Sequence, residues 1–389
     1  PLHYAAFRGH AEVVKLLLDG RADTERKMLG GDTALHQAAW QGHVAVLVRL
    51  LDHDADLFAL KDDGDSALAL AAFRGHVGAC RELLARMTST PHSEGLGLHN
   101  HHGNTPLHAA ASGGNCEVVK LLVEASAPVA ARTDTQETAL LRAVQVGATG
   151  AVTALLEARA EVEVHGLDED HTPLNLAVLE GRASLARLLL QHRASPSRPR
   201  RDGVTPLHMA VIREVRAQRR PNESSVITVL GEAQADVNSR GRGQLAPLHL
   251  ALGQMPQAPH RTAVIRALLE QRADVEAMLR EGDRPLHLAV GSNFRVEAAL
   301  LIEHRASVNE PRSDGSLPLH IAAQHGAATC VELLMQARAD VSRSNASGQT
   351  AADVARQRSL EHVERMLSRL PGVAGASAPQ QDRVSAETR

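Results

Sequence analysis

Histidine is the residue type in this chain that could most readily bind a metal, with 22 copies among 389 residues. Four of them, His92, His99, His101 and His102, fall within eleven positions of a glycine-containing stretch. Four imidazoles could hold zinc, which takes nitrogen and sulfur ligands in a tetrahedron. No cysteine or carboxylate pattern at helical spacing supports such a site, so a solvated loop is the favoured interpretation and zinc is the alternative.

The motifs that usually accompany catalysis are absent from the sequence. It contains no GxSxG nucleophile elbow, no phosphate-binding GxxxxGK loop and no HExxH metalloprotease motif. The three cysteines, Cys80, Cys116 and Cys330, are scattered and have no evident activating partner. We therefore expect no enzyme activity, no catalytic residue, no cofactor and no resident metal.

A cluster of eight arginines lies between Arg193 and Arg220, opposed by Asp202 and Glu214. Such charge could contact phosphate, but proteins that bind nucleic acid usually add aromatic side chains, and this segment has none. The formal net charge of −3 also provides no global attraction to nucleic acid. A solvated insertion is favoured, and a nucleic-acid contact through Arg198 to Arg220 is the weaker alternative.

Aromatic residues point to another chemistry, the burial of apolar surface against a partner. The chain has only six of them, yet Phe7, Trp40 and Phe73 follow one another at intervals of 33 residues in the related segments AAFRGH, AAWQGH and AAFRGH. A fixed interval of this size is typical of repeat proteins, which stack one structural unit on the next.

The interval recurs through most of the chain when it is counted from a landmark residue, the one before PLH or its equivalent. The landmarks are Thr33, Ser66, Thr105, Thr138, Thr172, Thr205, Ala246, Arg284, Leu317 and Thr350, and a first copy begins at Pro1 without a landmark. These eleven repeats define one domain over residues 1–370. The tail, residues 371–389, is rich in Ala, Ser, Gly and Pro, and we expect it to be disordered.

The local pattern of one repeat predicts two helices. A Thr-Pro step favours a helix start, because the hydroxyl caps free N–H groups and proline needs no hydrogen-bond partner at the first position. Alanine stands five residues after every landmark, which indicates a close approach between layers. A glycine then ends this first helix, and a second amphipathic segment follows.

Segments such as TPLHAAASGGNCEVVKLLVEASAPV at Thr105 and LPLHIAAQHG at Leu317 resemble the ankyrin-repeat family. The resemblance implies an all-α repeat solenoid of helix-turn-helix layers with short β-hairpin fingers, forming a curved, elongated rod. It also implies a protein partner held in a concave groove. In the family, the position of Phe7, Trp40 and Phe73 belongs to that groove face rather than to the core.

We expect the three rings, the polar residues beside them and the finger-tip acids to bind the partner. The alternative is that the rings merely shield the edge of the core. The expected partner-binding residues are Phe7, Arg8, Trp40, Gln41, Asp62, Asp63, Asp65, Phe73 and Arg74.

Two departures from the repeat pattern bear on stability. The capping hydroxyl is lost at Ala246, Arg284 and Leu317, and insertions fall nearby, so residues 205–316 should be the least stable segment. At the end of the second helices, arginine replaces the glycine that the family usually has in a left-handed conformation. These arginines are Arg21, Arg159, Arg193, Arg272, Arg305 and Arg338.

These patterns together predict a non-enzymatic scaffold or adaptor for a protein partner. The alternative is the targeting arm of a larger enzyme or channel, and the start of the chain within a repeat leads us to expect further sequence upstream of Pro1. The longest apolar run is about seven residues, too short to span a membrane. We expect a monomer in the cytoplasm or the nucleus that does not bind nucleic acid.

Overall fold

The computed structural model describes residues 1–88, 93–166, 171–216, 225–253 and 260–368. Almost all of the secondary structure in these residues is helical. The helices are α1 (Leu2–Arg8), α2 (Ala11–Asp19), α3 (Ala34–Gln41), α4 (Val44–Asp52), α5 (Ala67–Arg74), α6 (Val77–Thr88), α7 (Pro106–Ser112), α8 (Cys116–Glu124), α9 (Ala139–Val146), α10 (Thr149–Glu157), α11 (Pro173–Leu179), α12 (Ala183–Gln191), α13 (Pro206–Arg216), α14 (Val226–Glu232), α15 (Pro247–Gly253), α16 (Arg261–Glu270), α17 (Pro285–Gly291), α18 (Arg295–Glu303), α19 (Pro318–Gln324), α20 (Ala328–Gln336), α21 (Ala351–Gln357) and α22 (Glu361–Ser368), with 3-10 turns at Ser93–Gly97 and Arg242–Gln244.

The helices form eleven successive pairs, which confirms the prediction of an all-α repeat solenoid. Odd-numbered helices are the first of each pair and even-numbered helices are the second. Within each part of the chain, first helices pack on neighbouring first helices, as α3 does on α1 and α5 and α19 does on α17 and α21, and second helices pack on second helices, as α4 does on α2 and α6. The predicted tail, residues 371–389, lies outside the described residues.

The first helices begin where the landmarks predict. From α3 onward, each first helix starts at the residue after its landmark. The Ser66 hydroxyl accepts a hydrogen bond from the Ala69 N–H at 3.2 Å, and Thr138 does the same for Leu141 at 3.3 Å. The alanine five residues after the landmark is at most 3% exposed in every repeat, so the layers do meet at this position.

The fingers between repeats are tight turns closed by backbone hydrogen bonds. In the second finger, Lys61 N–H donates to the Asp65 carbonyl and Gly64 N–H donates to the Lys61 carbonyl. The finger also carries a single antiparallel β-bridge between Leu60 and Ser66. Successive finger tips are joined as well, since Asp62 N–H donates to the Gly30 carbonyl at 3.1 Å.

The arginines at the ends of the second helices adopt the left-handed backbone conformation. Their φ angles lie between 59° and 70° at Arg21, Arg159, Arg193, Arg272, Arg305 and Arg338. A side chain with a Cβ atom is strained in this conformation by about 1 kcal/mol relative to glycine. The protein therefore keeps the ankyrin-like backbone geometry without the glycine that would make it strain-free.

The chain divides into two compact units. The first contains Pro1–Arg213 and the described part of Arg220–Asp236, and the second contains the described parts of Glu214–Arg219 and of the residues from Val237 onward. None of the described helices combines the length and the apolar character needed to cross a membrane.

Candidate functional site

The three repeat-related aromatic residues occupy the last turns of α1, α3 and α5. Phe7 is 39% exposed and Phe73 is 44% exposed, whereas Trp40 is half-buried. The rings of Trp40 and Phe73 stack with their centroids 6.2 Å apart and their planes inclined by 12°. Two exposed or half-exposed rings in contact form a preassembled apolar surface of the kind that contributes strongly to protein interfaces.

Side chains of the following repeat hold the backbone of each ring in place. His43 Nε2 lies 3.0 Å from the Phe7 carbonyl oxygen, and His76 Nε2 lies 3.0 Å from that of Trp40. Asn115 Nδ2 donates to the Phe73 carbonyl at 2.7 Å. These bonds satisfy carbonyl groups that the end of a helix leaves unpaired, and they fix the rings relative to the next layer.

A glycine after each ring makes this close approach possible. Gly42 has a φ of 78°, and a Cβ atom at this position would lie only 2.6 Å from the His76 ring. Glycine is therefore required here both for the left-handed backbone and for the space taken by the imidazole.

Arginine side chains lie over two of the aromatic rings of this surface, those of Trp40 and Tyr4. The Arg74 guanidinium carbon lies 4.7 Å from the centroid of the Trp40 ring. Arg8 lies 5.4 Å from the centroid of Tyr4, a ring that the sequence-based set of binding residues did not include. Such cation–π contacts keep the flexible arginine side chains close to the apolar surface.

The finger-tip acids differ in their surroundings. Asp62 and Asp63 are exposed, whereas Asp65 is half-buried. Lys61 Nζ lies 3.2 Å from Asp63 Oδ2 and 4.0 Å from Asp32 Oδ1. Burial favours a higher pKa for Asp63, but hydrogen bonds from Asp65 N–H and Lys61 Nζ outweigh it, so the pKa lies below its ordinary value.

Asp65 behaves differently because it is farther from solvent. Asn100 Nδ2 donates to its Oδ1 at 2.8 Å. Burial raises its pKa, and this effect outweighs the hydrogen bond from Asn100. The side chain thus faces the site as a carboxylate that is only partly stabilised by its neighbours.

The stacked rings and Asp65 line one pocket with a volume of about 470 Å³. Its other polar walls come from Lys61, Asn100, Asn104 and Arg142, and its apolar and small residues are Ala69, Leu70, Ala109 and Ser112. The structure therefore brings together three of the nine predicted residues. Arg74 contacts the pocket's Trp40 wall, while the remaining members lie outside its lining: Phe7, Arg8, Gln41, Asp62 and Asp63.

Sequence reasoning did not find the four polar residues that complete the pocket, Lys61, Asn100, Asn104 and Arg142. One signal was present: the ring at the position of Phe73 gives way to Ser112 in the next repeat, and Leu70 gives way to Ala109. Two large side chains are replaced by small ones on adjacent helices, which leaves room beside Phe73.

The histidines that recur near the start of the first helices, such as His36 and His108, have a structural role. Thr33 N–H donates to His36 Nδ1 at 3.2 Å, and His36 Nε2 lies 3.1 Å from the Ala59 carbonyl oxygen. His108 makes the equivalent bonds to Thr105 and Glu137. Burial lowers the pKa of both imidazoles, which favours the neutral form that these bonds need.

The histidine-rich stretch considered for zinc is described only in part, because His92 lies outside the described residues. His99 Nδ1 lies 3.1 Å from the Asn100 carbonyl oxygen. Within the described ranges, no group of three or more His, Cys, Asp or Glu side chains is placed to hold a metal ion.

The buried cysteines are poor nucleophiles. Burial raises the pKa of the Cys80 thiol to about 12 and that of Cys330 to about 11. A thiol attacks only as the thiolate, so both groups are unreactive at neutral pH.

Some arginines of the basic cluster between Arg193 and Arg220 form ion pairs or hydrogen bonds with other parts of the protein. Arg198 Nη1 lies 2.8 Å from Glu163 Oε2, and Arg213 donates to the Glu180 carbonyl at 3.1 Å. Arg219 and Arg220 lie outside the described residues. These bonds account for part of the cluster without a phosphate ligand.

Comparison with known proteins identifies the family. The profile described as "Ankyrin repeats (3 copies)" matches residues 2–93, 50–133, 68–166, 140–241, 248–345 and 296–374. The chain is an ankyrin-repeat protein. Ankyrin repeats form a non-catalytic protein-interaction domain, so the solenoid described above is an interaction module.

Several relatives share part of the repeat region. The chain is 41% identical over 116 residues to ankyrin repeat and SOCS box protein 16 of Mus musculus, covering 28% of this chain and 25% of that protein. It is 38% identical over 106 residues to ankyrin repeat and SOCS box protein 11 of Danio rerio, covering 27% and 35% respectively. It is 34% identical over 108 residues to a transient receptor potential cation channel subfamily A member 1 homolog of Caenorhabditis elegans, covering 28% and 9%.

The ankyrin fold also has a counterpart among solved structures. The crystal structure of the human ASB11 ankyrin repeat domain superposes with a TM-score of 0.50 at 23% identity, covering 61% of this chain and 98% of that one. The matched segments span only a quarter, about a third and about a tenth of the lengths of the three relatives above.

Proposed function

We propose that this ankyrin-repeat protein is a non-enzymatic adaptor that holds a protein partner on the first helices and fingers of its N-terminal repeats. The observation that supports it most directly is the stacked Trp40–Phe73 pair, which faces solvent beside a pocket of about 470 Å³. Aromatic side chains fixed in this way lose little conformational entropy when a partner binds, so they suit an interface hot spot.

The position of the rings argues against a purely structural role. Later repeats place Gln145, Gly291 and Gln324 at the same repeat position and still form complete first helices. A ring is therefore not needed at this position for a layer to fold. The alanines two residues earlier are fully buried in α3 and α5, so the core boundary lies before the rings.

Trp40→Ala tests the proposal. We expect partners captured from a cell lysate by the full chain to bind at least about 2 kcal/mol more weakly to the variant, because a central aromatic anchor is lost. The unfolding midpoint should change little. Captured proteins would be identified by mass spectrometry with the wild-type chain, and their affinities would then be measured with purified components.

Leu16→Ala is the matched control, since Leu16 is 71% exposed, lies on the second helix α2 and does not line the pocket. It should leave binding unchanged. If Trp40→Ala unfolds the N-terminal repeats, or if it binds every captured partner as well as the wild type does, the proposed site is wrong.

A second candidate function is that of a recruiting arm within a larger enzyme or channel. It is favoured by the relatives, in which the matched ankyrin segment is a minor part of a SOCS box protein or of a cation channel. Sequencing the complete transcript tests this, and a reading frame that encodes repeats alone would exclude it.

The remaining features of the proposal are a monomeric state, action in the cytoplasm or nucleus, and no nucleic-acid partner. Sedimentation of the purified chain tests the first feature, and imaging of the tagged full-length protein tests the second. Binding of DNA or RNA through Arg198 to Arg220 would show a steep dependence on salt, because it releases counterions from phosphates. We expect no such binding at physiological ionic strength.

A further inference from the structure

The pocket exists because the strip of rings ends at the fourth repeat. Phe73 on α5 is followed at the same repeat position by Ser112 on α7, and Leu70 is followed by Ala109. All four residues line the pocket. The Phe73 ring, 44% exposed, therefore has an open side toward α7 where a further aromatic layer would otherwise continue.

The charges around the pocket leave one carboxylate without an ionic partner. Lys61 pairs with Asp63 at 3.2 Å, and Arg142 Nη2 pairs with Glu137 Oε2 at 2.7 Å. Asp65 accepts a hydrogen bond from the neutral Asn100 amide, but it forms no ion pair within the described part of the chain. A half-buried carboxylate in this position is stabilised by an incoming cation.

The protein's own arginines show how a guanidinium packs on its rings. Arg8 lies over Tyr4, Arg74 over Trp40 at 4.7 Å, and Arg261 over Phe294 at 3.7 Å, measured from guanidinium carbon to ring centroid. A planar guanidinium can stack on an aromatic face and bind a carboxylate through its edge at the same time, which an ammonium group cannot do. An open ring face beside Asp65 offers both contacts.

We propose that this pocket binds an arginine side chain of the partner protein, with the guanidinium edge on Asp65 and its flat face on Phe73. The proposal rests on the function proposed above and specifies the partner residue that the aromatic surface recognises.

The single tryptophan provides a direct measurement, because Trp40 is the only one in the chain and lies in the pocket wall. The full chain would be titrated with the capped tripeptide Ala-Arg-Ala while Trp40 fluorescence is followed. The same peptide with citrulline keeps the size and planar shape of the arginine side chain, but a carbonyl oxygen replaces one terminal nitrogen and the group has no charge. We expect a saturable change in fluorescence with the arginine peptide. The apparent affinity for the citrulline peptide should be lower by a factor of about ten or more.

Three variants localise the effect. Asp65→Asn should lower the affinity for the arginine peptide by about tenfold or more, while the new amide oxygen can still accept a hydrogen bond from Asn100. Asp134→Asn, which removes an exposed finger charge that is neither in the pocket lining nor among the expected partner-binding residues, should leave the affinity unchanged. Ser112→Phe should abolish the response by filling the pocket, and it should fold, because Phe7 and Phe73 occupy the same repeat position.

The assignment is overturned if the arginine peptide gives no saturable response, if the citrulline peptide binds equally well, or if Asp65→Asn or Ser112→Phe binds like the wild type. In those cases, capture of a partner that depends on Trp40 would leave the adaptor proposal standing. Loss of both the peptide response and the Trp40 dependence would reject both proposals.

Discussion

In α3, α7, α15 and α19, the histidine of the first helix bonds both to the start of its own helix and to the next finger. In α17, His287 Nδ1 accepts a bond from Arg284 N–H at 3.2 Å, but its buried Nε2 has no hydrogen-bond partner within the described residues. In α15, Ala246 N–H donates to His249 Nδ1 at 3.2 Å, and His249 Nε2 lies 2.9 Å from the Ala277 carbonyl oxygen. His320 repeats the arrangement, with Nε2 3.0 Å from the Gln349 carbonyl oxygen. A single neutral tautomer, with its proton on Nε2, satisfies both bonds, so protonation of Nδ1 would break the helix cap.

This dependence on the neutral form predicts that acid destabilises the protein, most clearly at His287. Burial, followed by the guanidinium groups of Arg284 and Arg312, lowers its pKa from 6.5 to about 4. Since the folded pKa lies below the unfolded one, the unfolded chain binds more protons between these values. Stability is therefore full above pH 6.5 and is lost as the pH falls, by about 2 kcal/mol at pH 5 for this residue.

Urea unfolding of the second unit at pH 7.5 and pH 5 measures this effect. His287→Asn should reduce the loss between the two pH values, because the replacement cannot be protonated. The equivalent position of α11 already holds Asn175, so the substitution is compatible with the fold. Equal pH dependence in the wild type and the variant would show that His287 is not the responsible group.

At the scale of the helix, the first and second helices of a repeat have different residues at their C-terminal ends. The first helices α3 and α5 end at left-handed Gly42 and Gly75, and side chains of the next repeat bind their last carbonyl groups. The second helices α10 and α16 are each followed, after one further residue, by a left-handed arginine, Arg159 with a φ of 59° and Arg272 with a φ of 64°. The ends of these first helices require glycine, whereas the residue after these second helices is an arginine held in a strained left-handed conformation.

Arg159→Gly should therefore stabilise the protein. Glycine removes the left-handed strain of roughly 1 kcal/mol, and its greater freedom in the unfolded chain offsets part of this gain. We expect a net increase of a few tenths to about 1 kcal/mol in the free energy of unfolding, measured by urea denaturation. Arg81→Gly in the interior of α6 is the control and should cost about 1 kcal/mol. A loss of more than about 1 kcal/mol for Arg159→Gly would mean that the arginine side chain makes stabilising contacts.

The helices could be predicted from sequence because their signals are local. Thr105 and Pro106 fix the start of α7 within two residues. The same signal recurs at regular intervals in the other repeats, which supports each assignment. The hydrogen bonds between layers could not be predicted, because His76 and Trp40 are 36 residues apart and no local sequence pattern indicates that they meet. The pocket was missed for the same reason: Asp65, Phe73, Ser112 and Arg142 meet only after the three first helices α5, α7 and α9 have stacked.

At the scale of the whole molecule, the losses of helix caps fall together in the second unit. Ala246, Arg284 and Leu317 replace the capping hydroxyl in three consecutive repeats, and none of them belongs to the first unit. Each lost cap costs about 1 kcal/mol. Arg284 makes other contacts, with Glu276 at 2.9 Å and Glu310 at 3.2 Å, but its side chain cannot accept a bond from the helix amides.

Unfolding should accordingly proceed in more than one step, with residues 205–316 exchanging amide hydrogens earliest. In a stack, stability is a sum of repeat and nearest-neighbour contributions, so a run of weak repeats opens without the rest. Hydrogen exchange followed by mass spectrometry measures this directly. Uniform protection from Ala38 through Ala322 would contradict the expectation.

Ala246→Thr separates the missing caps from other causes of low protection. Ala246 is 2% exposed, and the threonine landmarks Thr33 and Thr105 are equally buried at 1% and 3%, so a threonine fits this position. Restoring the hydroxyl should stabilise the second unit by about 1 kcal/mol and slow exchange in α15, while Thr105→Ala should destabilise the first unit by a similar amount. If Ala246→Thr leaves exchange in α15 unchanged while Thr105→Ala accelerates it in α7, the weakness of the second unit arises from its insertions rather than from its caps.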